Sequence, residues 1–256
     1  MHQTDFSLVR RMNLQCSAIL ANQADHEGDE NCAFPFGNVQ MISTKTRGVG
    51  INRNLALEVA EAECVLFSDD DVTYFDGMPQ SVLAEFDAHP DADVLIFGMD
   101  YTKNGTVIER RRPGNERRYL WNSMRFGAAS IAVRLQAIRS CGIQFSAYFG
   151  GGCLYGSGED NLFLKDCFVN GLRVYSTNVV LGICRKDSST WFTGCNEKYF
   201  YDKGALMTYL FPHFRYLAAF YFAIRVKKQT DIDCLKRINL MLAGVRGGKR
   251  LEPYRP

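Results

Sequence analysis

The chain has 256 residues, 46% of them hydrophobic, enough for one large domain or two small ones with a sizeable core. A net charge of +2 and a sequence pI near 8.0 exclude the strongly basic balance of a nucleic-acid binder. Nine cysteines without a CxxC pair exclude a zinc-site or disulfide framework and point to reduced thiols in a cytoplasmic protein. The polar stretch 1–11 has no signal-peptide core, and no run of about 20 apolar residues offers a membrane span.

In chain order, residues 16–20 are a short apolar strand, followed by a loop through Asn22, Gln23 and the acidic stretch 25–30. Residues 39–42 form a second strand, and Arg47-Gly48-Val49-Gly50 a turn. Ile51, Leu55 and Val59 share one face of a helix over 52–62. Residues 64–67 are a third, apolar strand, 78–88 a helix and 94–97 another strand. This strand–helix alternation predicts an α/β fold with a mostly parallel central sheet. The segment 100–107 reads as a hairpin around Asn104-Gly105, and 110–118 as a basic loop. A strand at 130–133, a short helix at 135–140, a glycine-rich segment at 150–158 and a helix from 159 to 170 follow. Residues 172–175 and 179–183 are two further strands.

The third strand ends in Asp69-Asp70-Asp71. Three carboxylates at contact distance repel and raise one another's pKa. They form either a solvated acidic turn or a divalent-cation site, since hard cations take carboxylates together with substrate phosphates. Glu159 and Asp160 open a helix after the glycines; they either cap it or supply a carboxylate base beside an acceptor hydroxyl. Arg47, Arg53 and Asn54 surround a strand-to-helix junction that offers N–H groups and cations to an anion. The arginines of 110–118 make a solvated loop or a lid that contacts diphosphate or an anionic acceptor.

The run Arg47-Gly48-Val49-Gly50-Ile51-Asn52-Arg53-Asn54, then Phe67-Ser68-Asp69-Asp70-Asp71-Val72, resembles family 2 glycosyltransferases of the GT-A fold. Gly150-Gly151-Gly152 leading into Gly158-Glu159-Asp160-Asn161 extends the resemblance, which covers roughly residues 13–200. It implies a Rossmann-like sheet flanked by helices, and transfer of a sugar from a nucleotide-diphosphate donor to an acceptor hydroxyl with inversion. It also implies a DxD-type motif that binds Mn2+ or Mg2+ through Asp69, Asp70 and Asp71. Arg47, Arg53, Asn54, Asp69 and Asp70 would contact the nucleotide sugar. Asp160 would be the base with Glu159 beside it, and Gly151, Gly152 and Trp191 would face the acceptor. The family's first strand is expected upstream of residues 5–12, so the chain here would lack it. His213 fits a core or interface role better than that of a metal ligand.

The implied organisation is one catalytic domain over 1–200, with a nucleotide half at 1–97, an acceptor half at 98–200 and a helical extension at 201–256. The implied role is surface or secreted polysaccharide synthesis with a glycan or lipid-linked acceptor. The alternatives are a catalytically impaired nucleotide-sugar-binding subunit or a nucleotidyltransferase. Residues 187–192, with Trp191, are either a loop around a core tryptophan or a mobile loop in which Arg185, Lys186 or Trp191 meets substrate. Residues 210–226 are apolar and aromatic, flanked by Lys227 and Lys228; they either pack as core or lie on the inner face of a membrane.

Overall fold

A computed structural model describes residues 2–186, 194–226 and 230–255. Two compact units emerge. The first holds Met1–Arg47, Ile51–Gln144 and Phe163–Ser188; the second holds Gly48–Gly50, Phe145–Leu162 and Ser189–Pro256.

The first unit carries two sheets. β1 (Ala18–Gln23), β2 (Gly28–Phe34) and β3 (Gly37–Thr44) form the smaller one, in the order β1-β3-β2. Val39, Met41 and Ser43 alternate inward along β3, as a half-buried strand should. β2 was not expected. Its sequence, GDENCAF, is polar because it is an exposed edge strand paired on one side to β3. α1 (Ser7–Arg11) also falls in a stretch the sequence left unstructured; Leu8 and Val9 anchor it in the core.

The larger sheet runs β4 (Cys64–Leu66), β9 (Ile131–Arg134), β6 (Val94–Lys103), β10 (Val174–Arg185), β5 (Val72–Tyr74). β7 (Thr106–Arg111) and β8 (Glu116–Arg117) pair with β6 and β10. The α/β class holds, but the sheets are mixed rather than mostly parallel. β1–β3 and β6–β10 are parallel, and the remaining pairings are antiparallel. The physical reason is that helical crossovers, which parallel pairing requires, separate only some of the strands. β6 returns as β7 through Asn104 (φ 49°) and Gly105 (φ 74°), the left-handed pair a two-residue hairpin turn needs. β6 is buried from Val94 through Met99 and lies between β9 and β10, which explains its unbroken apolar run. The two strands expected at 172–175 and 179–183 are one strand, β10, with register shifts after Ser176.

α2 (Val49–Val59), α3 (Met78–Ala88), α5 (Leu135–Ser140) and α6 (Glu159–Val169) flank this framework, with the short α4 (Leu120–Ser123) before β9. α3 buries Met78, Val82 and Phe86 at intervals of four, one stripe of a helix. Arg139 on α5 donates to the carbonyls of Leu57 (2.8 Å), Glu58 (3.0 Å) and Ala60 (2.6 Å), closing the C-terminal end of α2.

In the second unit, α7 (Glu197–Leu210), α8 (Arg215–Arg225) and α9 (Cys234–Gly248) share a core of Phe200, Met207, Ala219, Ala223, Met241 and Val245. α7 and α9 are capped by Asn196 and Asp233, whose side chains accept the N–H of Tyr199 (2.9 Å) and Lys236 (3.0 Å). Glycines let these two helices touch. A Cβ at Gly204 would collide with the Met241 carbonyl, and one at Gly244 with the Tyr201 carbonyl.

Candidate active site

β4 ends at Leu66, and the aspartates form the turn into β5, closed by Val72 N–H donating to the Asp69 carbonyl at 3.2 Å. Each carboxylate has a different environment. Asp69 accepts from Arg53 Nη2 at 2.6 Å, and the Arg53 side chain is only 10% exposed. Asp71 is half-buried, accepts from Cys184 Sγ at 3.5 Å and gives its carbonyl to Arg185 N–H at 3.0 Å. Burial first, then the charge of Asp69, push the Asp71 carboxyl up to about 6. Asp70 faces solvent. The turn is therefore not simply a solvated acidic one, because two of its three carboxylates are drawn into the protein.

Around this turn lie Tyr101 and Cys184, which no sequence pattern singled out, together with Lys186 and Arg111. Cys184 pairs in register with Tyr101 across β10 and β6. Lys186 Nζ sits 4.2 Å from the centre of the Tyr101 ring, and the Arg111 guanidinium 4.7 Å from it. Burial pushes the Tyr101 phenol up to about 12, so it is a hydrogen-bonding neutral group near neutral pH. These residues are 30 to 117 positions from the aspartates in sequence, and only the register of β6, β10 and β5 assembles them. The basic segment is the end of β7, a loop and β8, and three of its arginines are paired. Arg111 pairs with Glu109 (2.8 Å), Arg112 with Asp100 (2.7 Å), and Arg118 is buried, bonded to Ser176 Oγ (2.7 Å) and to the Pro113 carbonyl.

Arg47 staples the ends of β1 and β3. It donates to the Ala24 carbonyl at 2.9 Å and to Asp25 at 2.6 Å. Asn54 lies on α2 and lines a pocket with Leu57, Leu135, Ile138 and Arg139. Asn52, next to Arg53, donates to the Ala21 carbonyl (3.2 Å) at the end of β1.

The second unit holds the other predicted group. Glu159 is buried and accepts the Gly158 N–H at 3.1 Å; Asp160 is half-exposed in the first turn of α6. Acidic groups there are favoured by the helix dipole. Lys203 on α7 is the cation they share. Burial lowers its amine's pKa, while Glu159, Asp160 and Asp202 raise it. Nothing in the local sequence announces Lys203, because it reaches α6 from another helix.

The glycines are there for close approach. Gly150 has φ +114°, and a Cβ on it would sit 2.6 Å from Val49 and 2.9 Å from the Glu159 carboxyl carbon. The Gly151 carbonyl accepts the N–H of Val49, the first residue of α2, at 2.9 Å, while Gly152 is exposed with φ +79°. Asp202 on α7 holds the same loop by accepting the Gly156 N–H at 2.9 Å. Trp191 and the patch 187–192 lie outside the described residues.

Among the described residues no group of three His, Cys, Asp or Glu side chains is gathered to hold a cation alone. The donor set at the turn nevertheless fits a hard divalent cation: half-buried Asp71 beside Asp69 carries a repulsion that such an ion relieves. Ions of this kind take one or two carboxylates and complete their shell with water and substrate phosphates.

The profile of a family described as "Glycosyl transferase family 2" matches residues 18–149. The chain belongs to glycosyl transferase family 2. The GT-A fold expected for that family is borne out by solved structures. S. aureus TarS 1-349 in complex with UDP-GlcNAc superposes with a TM-score of 0.56 at 20% identity, over 84% of this chain and 65% of that one. S. aureus TarS 1-349 alone gives a TM-score of 0.51 at 19% identity, over 82% and 54%. The chain thus spans less than two thirds of the TarS chains it matches. A comparison with curated proteins returned no match.

Proposed function

We propose that the protein is a glycosyltransferase that moves a sugar from a nucleoside-diphosphate donor to an acceptor hydroxyl, with inversion, in surface or secreted polysaccharide synthesis. The observation that carries the reading is the Arg53–Asp69 pair (2.6 Å) beside the half-buried Asp71, in a chain of this family. Family membership alone fixes no residue; the crowded carboxylates give the donor site a physical rationale.

In this reading Asp69, Asp70 and Asp71 form the DxD-type motif and would hold Mn2+ or Mg2+. When bound, the cation would neutralise charge on the leaving diphosphate. Arg53 fixes Asp69 so that its carboxylate keeps one orientation, and Arg47 contributes by holding the loops after β1 and β3. Asp160 takes the proton of the acceptor hydroxyl as it attacks the anomeric carbon, so the sugar inverts in one displacement. Lys203 is the cation beside this acidic pair, its charged form disfavoured by burial and favoured by Glu159, Asp160 and Asp202. Gly151, Gly152 and Trp191 are proposed to meet the acceptor, Gly152 through its exposed backbone.

A panel of nucleotide sugars, each with Mn2+, Mg2+ or EDTA, tests the reading by donor hydrolysis and by transfer. Turnover of one donor that EDTA abolishes is the expected result. Binding of donors without turnover of any would assign the chain instead to an impaired nucleotide-sugar-binding subunit.

A further inference from the structure

The outward face of α8 has the wrong polarity for a helix bathed in water. Its inner face is narrow and small: Ala219 and Ala223 are fully buried against the core shared with α7 and α9. The opposite face carries Phe214 (69% exposed), Leu217 (67%), Tyr221 (60%) and Phe220 (45%), at the three- and four-residue spacing of one helical stripe. A surface helix ordinarily shows charged residues on that side. Isolated exposed apolar residues need no explanation, but a contiguous row of four marks a contact surface.

The charges around the stripe say what it contacts. Over residues 204–226 the chain has no Asp or Glu, while it has Arg215 and Arg225. Arg225 is exposed, donates to the Tyr221 hydroxyl at 3.1 Å and lies 5.8 Å from that ring's centre. Arg215 lies 5.2 Å from the centre of the Tyr216 ring. Arg225 is thus held at the rim of the stripe beside an amphipathic tyrosine, while half-buried Arg215, in step with Ala219 and Ala223, donates to the Pro212 carbonyl at 2.6 Å. A second copy of the chain docking through this face would bring cation to cation with no acidic partner in the segment. An anionic lipid surface supplies both the apolar layer and the opposite charge. Among the described residues no helix is long and apolar enough to cross a membrane.

We infer that α8 is an interfacial anchor, which lays Phe214, Leu217, Phe220 and Tyr221 into the headgroup boundary of an anionic bilayer with Arg225 against lipid phosphate. The anchor is a property of α8 and does not depend on which sugar or acceptor the protein uses.

The full-length protein is sedimented with vesicles of phosphatidylcholine alone and of phosphatidylcholine mixed with phosphatidylglycerol. Binding to the mixed vesicles only, weakened by high salt, is expected. Leu217→Ser with Phe220→Ser should lower the partition coefficient about tenfold or more, the scale of losing two buried apolar side chains. Both positions are exposed, so circular dichroism and the melting temperature should match the parent. Because both readouts are taken on the same sample, a misfolded variant is recognised, and Tyr221→Ser then provides the second measurement. No binding to anionic vesicles, or binding equal in parent and folded variants, overturns the inference. A dimer by light scattering that the same substitutions dissolve also overturns it, by assigning the face to a second copy.

Discussion

At the residue scale, the aspartate turn sets stability against function. Asp71 is held half-buried beside Asp69, and its carboxyl is pushed up to about 6, so at neutral pH the fold carries an ionised group it disfavours. Asp71→Asn keeps the shape and removes the charge. In the presence of EDTA the variant should be more stable than the parent by on the order of 1 kcal/mol, after allowing for solvent screening. Urea unfolding at pH 7 measures this, and a loss of stability would show that burial does not strain the carboxylate. The same substitution should weaken cation-dependent donor binding, because a neutral amide is a poorer ligand for a hard ion. Asp160→Asn separates binding from chemistry. Donor affinity should persist while transfer falls about 10²-fold or more, the usual scale for a missing general base. Equal transfer rates would move the base to another residue.

At the scale of elements, what could be read from sequence and what could not divide along a physical line. α3 and α5 were legible to the residue, because apolar positions at helical spacing encode one buried face. The Asn104-Gly105 turn was legible because only a few residues tolerate its backbone. β2 was not, since an exposed edge strand needs no apolar alternation. Tyr101 and Lys203 were not, nor was the grouping of Tyr101 with Lys186 and Arg111, because strand register and helix packing, not local pattern, bring them to the acidic groups. The contact between α7 and α9 was equally hidden. Gly204 and Gly244 look like poor helix residues in isolation, yet each makes room for a carbonyl of the opposite helix. Gly244→Ala improves helix propensity and should still destabilise the protein, by about 1–3 kcal/mol of overpacking. Thermal or chemical unfolding decides between the two effects, and a stabilised variant would mean the helices separate at little cost.

At the scale of the whole molecule, the proposed donor site makes a thermodynamic claim that needs no turnover. A ligand that binds only the folded chain stabilises it by mass action, about 2.7 kcal/mol at a hundredfold excess over its dissociation constant. For a chain of this size that is a rise in melting temperature of roughly 5–10 °C, given about 2–4 °C for each kcal/mol. The carboxylates of the turn and the phosphates of the donor are both anionic, so each alone repels the other. A nucleoside diphosphate without a cation should therefore shift the melting temperature little, and Mn2+ alone only modestly. Together they should shift it by more than the sum of the separate effects. Differential scanning fluorimetry with uridine, guanosine, cytidine and thymidine diphosphates, each with and without Mn2+, reads this coupling and identifies the base in one experiment. Asp71→Asn should remove the excess while leaving the unliganded protein folded. Additive shifts in the parent would mean that cation and diphosphate bind independently, and the aspartate turn would then have no claim to the donor.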